Sequence, residues 1–333
     1  MTTMLLDPVS AATRRQLLVG TGLLATLAAC GAAPPPAPPA AQTGTAEGDF
    51  GPVELPTDPQ RVVAGYDTDT DVALVLGLTL VGAPGARGSA TLPFPEYQPA
   101  DRLTDVERIA TFLPEPNFEA IAALAPDAIL DGAFGVQERY DTLRSIAPTL
   151  SYSTANYTNW RDGLLLAGQA FGRVTQATDF IAAYEERAAE LRARVEQRFP
   201  NRSAAVFYSE EAGGLVADTS ANQTLAAMVD CGFVLDPAIV SSDDVGKSFS
   251  QENFGDLAAL DVIVLSIDIN FEAGETTIER TTRIYDAAKA SPLWAGLPAV
   301  AAGRVFDAPA EIGFPSPLTA TASLDFVENT LLA

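Results

Sequence analysis

Short strand-like runs alternate with helical patterns twice along this chain, once on each side of a long helical segment. Strands are predicted where β-branched and apolar residues cluster, at 61–65, 80–82, 127–130, 203–208, 261–265 and 304–306. Helical spacing separates them, at 69–76, 117–124, 136–146 and 318–332. This order favours α/β architecture with mostly parallel sheets that carry helices on both faces. We therefore predict two α/β lobes, at residues 53–172 and 201–333.

The segment between the halves predicts a connecting helix over 173–200. Apolar side chains recur there at spacings of three and four and form one stripe: Ala177, Phe180, Ile181, Tyr184, Ala188, Leu191 and Val195. At 1.5 Å per residue such a helix would be roughly 35 Å long. A helix of that length would join the lobes stiffly.

The N-terminus carries an export pattern. Arg14 and Arg15 precede an uncharged run at 17–29, which is shorter than the ~20 residues of a membrane span. The pattern predicts a signal peptide over 1–29 of twin-arginine type, with a general secretion signal as the alternative. Cys30 follows two alanines, which resembles the lipobox of bacterial lipoproteins and implies acylation of Cys30. An ordinary cleavage site is the alternative reading. The Pro- and Ala-rich stretch that follows predicts a lipid anchor and extended linker over 30–52.

Composition excludes several classes of function. The net charge of −23 opposes nucleic acid, and the absence of histidine removes Ser–His and Cys–His catalytic pairs and imidazole metal sites. We expect no catalytic residues, no metal-ligating residues and no enzyme activity. Once Cys30 is acylated, Cys231 has no partner for a disulfide, and we expect it to be a buried apolar residue.

The two halves share a local signature. Asn117-Phe118-Glu119 leads through a helical pattern to Asp127, and Ser250-Gln251-Glu252 leads likewise to Asp261. The acid lies two residues after a capping residue in both copies. The helix dipole alone would favour either glutamate, by ~0.3–1 kcal/mol. Their equivalent placement in both halves indicates a shared role.

Several stretches, in this order, resemble substrate-binding lipoproteins of ABC importers for ferric siderophores, a group that also serves haem and cobalamin. They are PQRVV at 59–63, NFEAIAALAPD at 117–127, IAPT at 146–149, Trp160, GQAFG at 168–172, PLWAGLPAV at 292–300 and GRV at 303–305. The resemblance covers nearly all of 53–333. It implies two Rossmann-like lobes of the periplasmic-binding-protein type, joined by a rigid helix with a ligand cleft between them. It also implies that Glu119 and Glu252 dock against arginines of the membrane permease.

Ligands in open α/β sheets lie beyond the carboxyl ends of strands. The candidate ligand-binding residues in those loops are Tyr66, Arg87, Phe112, Phe134, Tyr208, Lys247, Phe271 and Phe314. Aromatic faces with few cations suit a bulky, partly apolar metal complex. A siderophore already fills the coordination sphere of iron, so no intrinsic cofactor is expected. The scarcity of cations favours a hydroxamate complex over an anionic catecholate one.

Other readings stay open at this point. Haem or cobalamin is the alternative cargo, with Tyr66 or Tyr208 as a haem ligand. An exported two-lobed enzyme or a partner-binding surface protein would share the architecture. The acidic cluster Asp67, Asp69 and Asp71 opens a helix, where acids are favoured, and lacks the Gly and distal Glu of a calcium loop. We expect a monomer, lipid-anchored at the outer face of the cytoplasmic membrane, with no other membrane contact.

Overall fold

The computed structural model describes most of the chain after the predicted linker. The described residues are 43–110, 116–133, 135–153, 159–210, 213–242, 245–267 and 285–333. The predicted signal peptide, Cys30, Phe112, Phe134 and Phe271 lie outside them.

The first lobe is built on a five-stranded parallel sheet of order β5-β4-β3-β6-β7, preceded by a hairpin of β1 and β2. Its strands are β1 Thr43–Gly48, β2 Gly51–Pro56, β3 Val62–Ala64, β4 Leu80–Ala83, β5 Glu107–Arg108, β6 Ala128–Asp131 and β7 Thr149–Ser151. Its helices are α1 Asp67–Leu76, α2 Phe118–Ala123, α3 Tyr140–Ile146 and α4 Trp160–Ala170.

The β1–β2 hairpin corrects the predicted extent of the linker, which was placed over 30–52. Ala46 and Leu55 of the two strands are buried, and the Asp49 carboxylate accepts hydrogen bonds from Ser151 and Ser153 at the end of β7. Alternating residues of β1 and β2 therefore face the lobe. This strand-like alternation was not recognised from the sequence, because the stretch before it is rich in Pro and Ala and is typical of a linker.

The second lobe repeats the arrangement after the connecting helix α5, Val174–Arg198. Its sheet has the order β10-β9-β8-β11-β12, in which β8, β11 and β12 are parallel while β9 and β10 run antiparallel to their neighbours. The strands are β8 Ala204–Ser209, β9 Leu215–Ala217, β10 Lys247–Phe249, β11 Val262–Ile267 and β12 Val305–Pro309. The helices are α6 Gln223–Asp230, α7 Pro292–Ala295, α8 Pro298–Ala301 and α9 Pro317–Phe326, with 3-10 turns at Gln251–Ala259 and Ala310–Gly313.

Helix α5 packs against both lobes through the stripe that the sequence predicts. Ala177, Tyr184, Ala188, Leu191 and Val195 are buried, against α1 and α4 of the first lobe and α6 and α9 of the second. One apolar core therefore runs from lobe to lobe along this helix. Among the described residues, no helix is both long and apolar enough to cross a bilayer.

Candidate ligand-binding site

A cavity of about 490 Å³ lies between the two lobes. Of the described lining residues, the first lobe contributes Arg87, which follows β4, and the second lobe contributes the others. Prominent among these are Tyr208, Asp218, Asn222, Ser266, Phe314 and Pro315. They lie at or just beyond the ends of the strands of the second sheet, where open α/β folds bind ligands. The volume falls within the range of small-molecule sites, ~300–1,000 Å³.

Arg87 links the two lobes at the edge of this cavity. Its backbone adopts a left-handed conformation, with φ 58°, and its N–H donates to the Asp67 carboxylate at 2.9 Å. Its guanidinium carbon lies 4.1 Å from the centroid of the Phe314 ring. Tyr66 packs edge-on against the same ring, at 6.5 Å between centroids. A cation of one lobe and an aromatic ring of the other thus form one continuous wall.

The wall of the second lobe is polar and carries an acid. The Asp218 carboxylate accepts the backbone N–H of Thr219 and the side-chain amide of Asn222, both at 2.8 Å. Asn222 in turn caps α6, because its Oδ1 accepts the Leu225 N–H at 3.0 Å. The Tyr208 side chain is 41% exposed. Partial burial raises the pKa of Tyr208, and the charges of Asp218 and a neighbouring glutamate raise it further.

A row of buried acids lies in α1, which packs against α9 of the second lobe. Asp67, Asp69 and Asp71 are each 3% exposed or less. Asp69 accepts the Tyr152 hydroxyl, while Asp71 accepts the Ser316 hydroxyl from across the lobe interface. Burial raises the pKa of all three carboxyls, and that of Asp69 reaches about 7.

A buried ion pair accompanies this row. Arg139 donates to both carboxylate oxygens of Asp131, at 2.6 and 2.7 Å, and the charge of Asp131 contributes to the raised pKa of Asp69. None of these acids lines the described cavity. Among the described residues, no group of three or more acids or cysteines is arranged to hold a metal ion. The row fixes the Arg87 loop and the interface between the lobes.

Glu119 and Glu252 are both exposed, each in the first turn of its helical segment. The Asn117 side chain caps α2 by accepting the Ala120 N–H at 3.0 Å. Glu252 borders a hollow of about 530 Å³ that also contains Glu210 and Leu293.

The aspartates that follow Glu119 and Glu252 in the sequence, Asp127 and Asp261, make equivalent contacts in the two lobes. The Asp127 carboxylate accepts two consecutive backbone N–H groups just before β3, at 2.7 and 3.0 Å. The Asp261 carboxylate does the same just before β8, at 2.6 Å each. Since β3 and β8 hold the same place in their sheets, the weak sequence repeat reflects an internal structural one.

The cavity brings together three of the residues that the sequence predicts: Arg87, Tyr208 and Phe314. Tyr66, the residue before α1, is 4% exposed and contacts the Phe314 ring, but it is not among the described residues that line the cavity. Lys247 lies on the antiparallel edge strand β10, beside a separate hollow, where its ammonium donates to the Ala238 carbonyl. The structure therefore does not place Lys247 at the cavity.

Sequence reasoning missed Asp218 and Asn222. Both lie between β9 and α6, where a short Leu-Val-Ala strand gives way to Asp-Thr-Ser-Ala-Asn. That run of capping and turn residues is the signal that identifies the loop.

Comparison with known proteins defines the class. The periplasmic binding protein family model matches residues 62–312. The chain belongs to this family, which confirms the predicted fold of two α/β lobes. The solved structure of Staphylococcus aureus SirA complexed with staphyloferrin B matches with a TM-score of 0.70 at 25% identity, over 86% of this chain and 97% of that one.

Two curated relatives indicate the kind of cargo. The ferric enterobactin-binding periplasmic protein FepB of Escherichia coli is 29% identical over 76% of this chain and 79% of its own length. "Probable siderophore-binding lipoprotein YfiY" of Bacillus subtilis is 28% identical over 49% of this chain and 52% of its own length. The match thus spans about half the length of YfiY. The predicted resemblance to siderophore-binding proteins is confirmed at the level of these relatives, which are named for binding and not for catalysis.

Proposed function

We propose that this protein is the substrate-binding component of an ABC importer and captures a ferric siderophore, of the hydroxamate type, between its lobes. The observation that carries the proposal is the interlobe cavity bounded by Arg87, Tyr208 and Phe314. The names of SirA and FepB, which refer to staphyloferrin B and ferric enterobactin, support a ferric siderophore as the cargo.

The charges of the cavity support the hydroxamate type. Arg87 is the one cation among the described residues that line it, and Asp218 lies on the opposite lobe. A highly anionic catecholate complex needs several converging cations, which the described part of this wall does not supply. A neutral or cationic complex meets apolar and aromatic surface together with one guanidinium donor.

The remaining parts of the proposal concern delivery. Glu119 and Glu252, exposed at equivalent places of the two lobes, would pair with arginines of the permease. Acylated Cys30 would hold a monomeric binding domain at the outer face of the cytoplasmic membrane. The lipoprotein name of the relative YfiY supports the anchor.

Isothermal titration calorimetry of the mature domain tests the cargo. The panel contains a ferric trihydroxamate, a ferric catecholate, haemin and cobalamin, each with its iron-free form where one exists. Calorimetry is preferred to tryptophan fluorescence, because Trp160 and Trp294 are buried away from the cavity. We expect saturable binding of the ferric trihydroxamate and much weaker binding of the iron-free compound. Binding of haemin or cobalamin alone, or of no ferric complex, would overturn the proposal.

A further inference from the structure

The cavity wall of the second lobe includes a carboxylate, Asp218, for which the proposed function has so far given no role. Asp218 is half-buried and lines the cavity, at the start of the loop that leads to α6. Its Oδ1 accepts the Thr219 N–H and its Oδ2 accepts the Asn222 amide. A carboxylate has about four acceptor positions, so the side chain is held in place and still keeps acceptor capacity.

No lysine or arginine among the described residues neutralises this acid. In the described part of the chain, Asp218 takes part in no ion pair with a lysine or arginine. The Arg87 guanidinium of the first lobe lies over the Phe314 ring. A half-buried carboxylate beside a ligand cavity gains most from a cation that the ligand itself brings.

A second acceptor lies beside it. The Tyr208 hydroxyl has no hydrogen-bond partner among the described residues, and its ring is 41% exposed. The backbone N–H of Asp218 donates to the Val206 carbonyl of β8, two residues before Tyr208, and both Asp218 and Tyr208 line the cavity. The charge of Asp218 also contributes to the raised pKa of Tyr208. Phenol oxygen, carboxylate and aromatic faces together match a primary ammonium, a point charge with three donors.

We propose that Asp218 and Tyr208 form a subsite for a positively charged arm of the bound ferric complex, such as a primary ammonium. This inference rests on the proposed function. The subsite would orient the ligand, with the uncharged iron core against Arg87 and Phe314 and the cationic arm toward Asp218 and Tyr208. It also names the favoured class of cargo, a ferric hydroxamate that carries a free amine.

A matched pair of ligands tests the subsite. The probes are a linear ferric trihydroxamate with a free primary amine and the same complex with that amine acetylated. They are titrated into the wild-type protein, Asp218→Asn and Asp179→Asn. Asp179 is an exposed acid of α5, so its substitution changes the net charge equally and lies outside the cavity. Each titration is repeated at high salt.

We expect the wild-type protein and Asp179→Asn to bind the amine form roughly tenfold more tightly than the acetylated form. Asp218→Asn should lose this preference and bind the acetylated form as the wild type does, which also shows that the variant is folded. High salt should reduce the preference. Equal wild-type affinity for the two forms would overturn the inference, as would a preference that survives in Asp218→Asn.

The remaining outcomes separate the two proposals. If Asp218→Asn loses both ligands equally, the carboxylate only holds the loop, and the subsite is overturned. If the wild type binds another ferric siderophore and neither trihydroxamate, the subsite is overturned while siderophore capture stands. If the wild type binds no ferric complex, both proposals fail.

Discussion

Arg87 combines a strained backbone with a side chain at the ligand cavity. A non-glycine residue at φ 58° costs on the order of 1–2 kcal/mol, which the hydrogen bond to Asp67 and the contact with Phe314 offset. Strain that is kept at a cavity points to a function for the side chain.

Arg87→Gly separates these two contributions, because glycine adopts this backbone conformation freely. We expect affinity for the ferric ligand to fall roughly tenfold or more, since a charged donor is removed, while the melting temperature changes little. Arg202→Gly is the matched control, with φ 59° and a position before β8, away from the cavity. Calorimetry should show wild-type affinity for the control. Equal affinity of Arg87→Gly and the wild type would contradict the role of Arg87.

The pKa of Asp69, raised to about 7 by burial and the charge of Asp131, makes folding pH-dependent. Between about pH 4 and pH 7 the unfolded chain has released this proton while the folded protein retains it. The free energy of unfolding should therefore decrease as pH rises through this window and level off above it. Asp67 and Asp71, whose pKa values are also raised, act in the same direction.

Urea denaturation at several pH values checks this prediction. Asp69→Asn should flatten the slope by up to about 1.4 kcal/mol per pH unit, the value for one proton. The exposed Asp179→Asn should leave the slope unchanged. Stability that rises from pH 5 to pH 7 in the wild type would contradict the buried, protonated state of Asp69.

Single site residues could be predicted from the sequence only where they lie in loops at the cavity, and not where they are buried. Arg87, Tyr208 and Phe314 could be selected because aromatic and cationic residues are conspicuous in loops after strands. Asp69 and its neighbours could not be recognised as buried. A first-turn acid reads the same in sequence whether it faces solvent or a tyrosine from a distant strand, such as Tyr152.

At the scale of elements, three helices meet at Asp230, the last residue of α6. Arg161 of α4 forms an ion pair with Asp230 at 2.9 Å, and the Tyr184 hydroxyl of α5 donates to the same carboxylate at 2.9 Å. The guanidinium of Arg161 also stacks on Trp160 and Tyr184, at 4.8 Å from each ring. This joint ties the first lobe and the connecting helix to the second lobe.

Arg161→Ala should destabilise the protein by ~1–2 kcal/mol, since it removes a partly buried ion pair and two cation–π contacts together. The free energy of unfolding, measured in urea, gives the difference. Arg144→Ala is the matched control, because its pair with Asp141 is solvent-exposed, and it should cost less than ~0.5 kcal/mol. Equal costs for the two variants would show that the joint contributes nothing beyond a surface pair.

The elements themselves were largely predictable, and the reasons for the exceptions are physical. The apolar stripe of α5 and the apolar runs of β8 and β11 are strong local signals. The β1–β2 hairpin and the antiparallel strands β9 and β10 are short, and their place is decided by packing against distant strands. Such tertiary contacts leave little trace in local sequence.

At the scale of the whole molecule, two lobes with the same strand order face each other across a cavity, and each presents an exposed glutamate, Glu119 or Glu252, at an equivalent place. The family resemblance made this architecture predictable. The contacts at the lobe interface were not predictable, because a hydrogen bond such as that between Ser316 and Asp71 joins residues that are far apart in sequence.

Docking can be separated from capture with a double variant, Glu119→Gln with Glu252→Gln. We expect wild-type affinity for the ligand and loss of siderophore-dependent iron uptake in cells, because both side chains are exposed and lie outside the cavity. Glu186→Gln with Glu190→Gln, on the exposed face of α5, removes the same charge and should transport normally. Normal uptake by the docking variant would contradict the proposed role of these glutamates.

The proposed function requires a ferric complex to occupy the cavity between the lobes. Crystals of the mature protein grown with the ferric trihydroxamate, measured at the iron absorption edge, test it most directly. We expect one anomalous iron peak in the space bounded by Arg87, Tyr208 and Phe314. An iron peak elsewhere on the molecule, or no peak from crystals of a protein saturated with the complex, would contradict it.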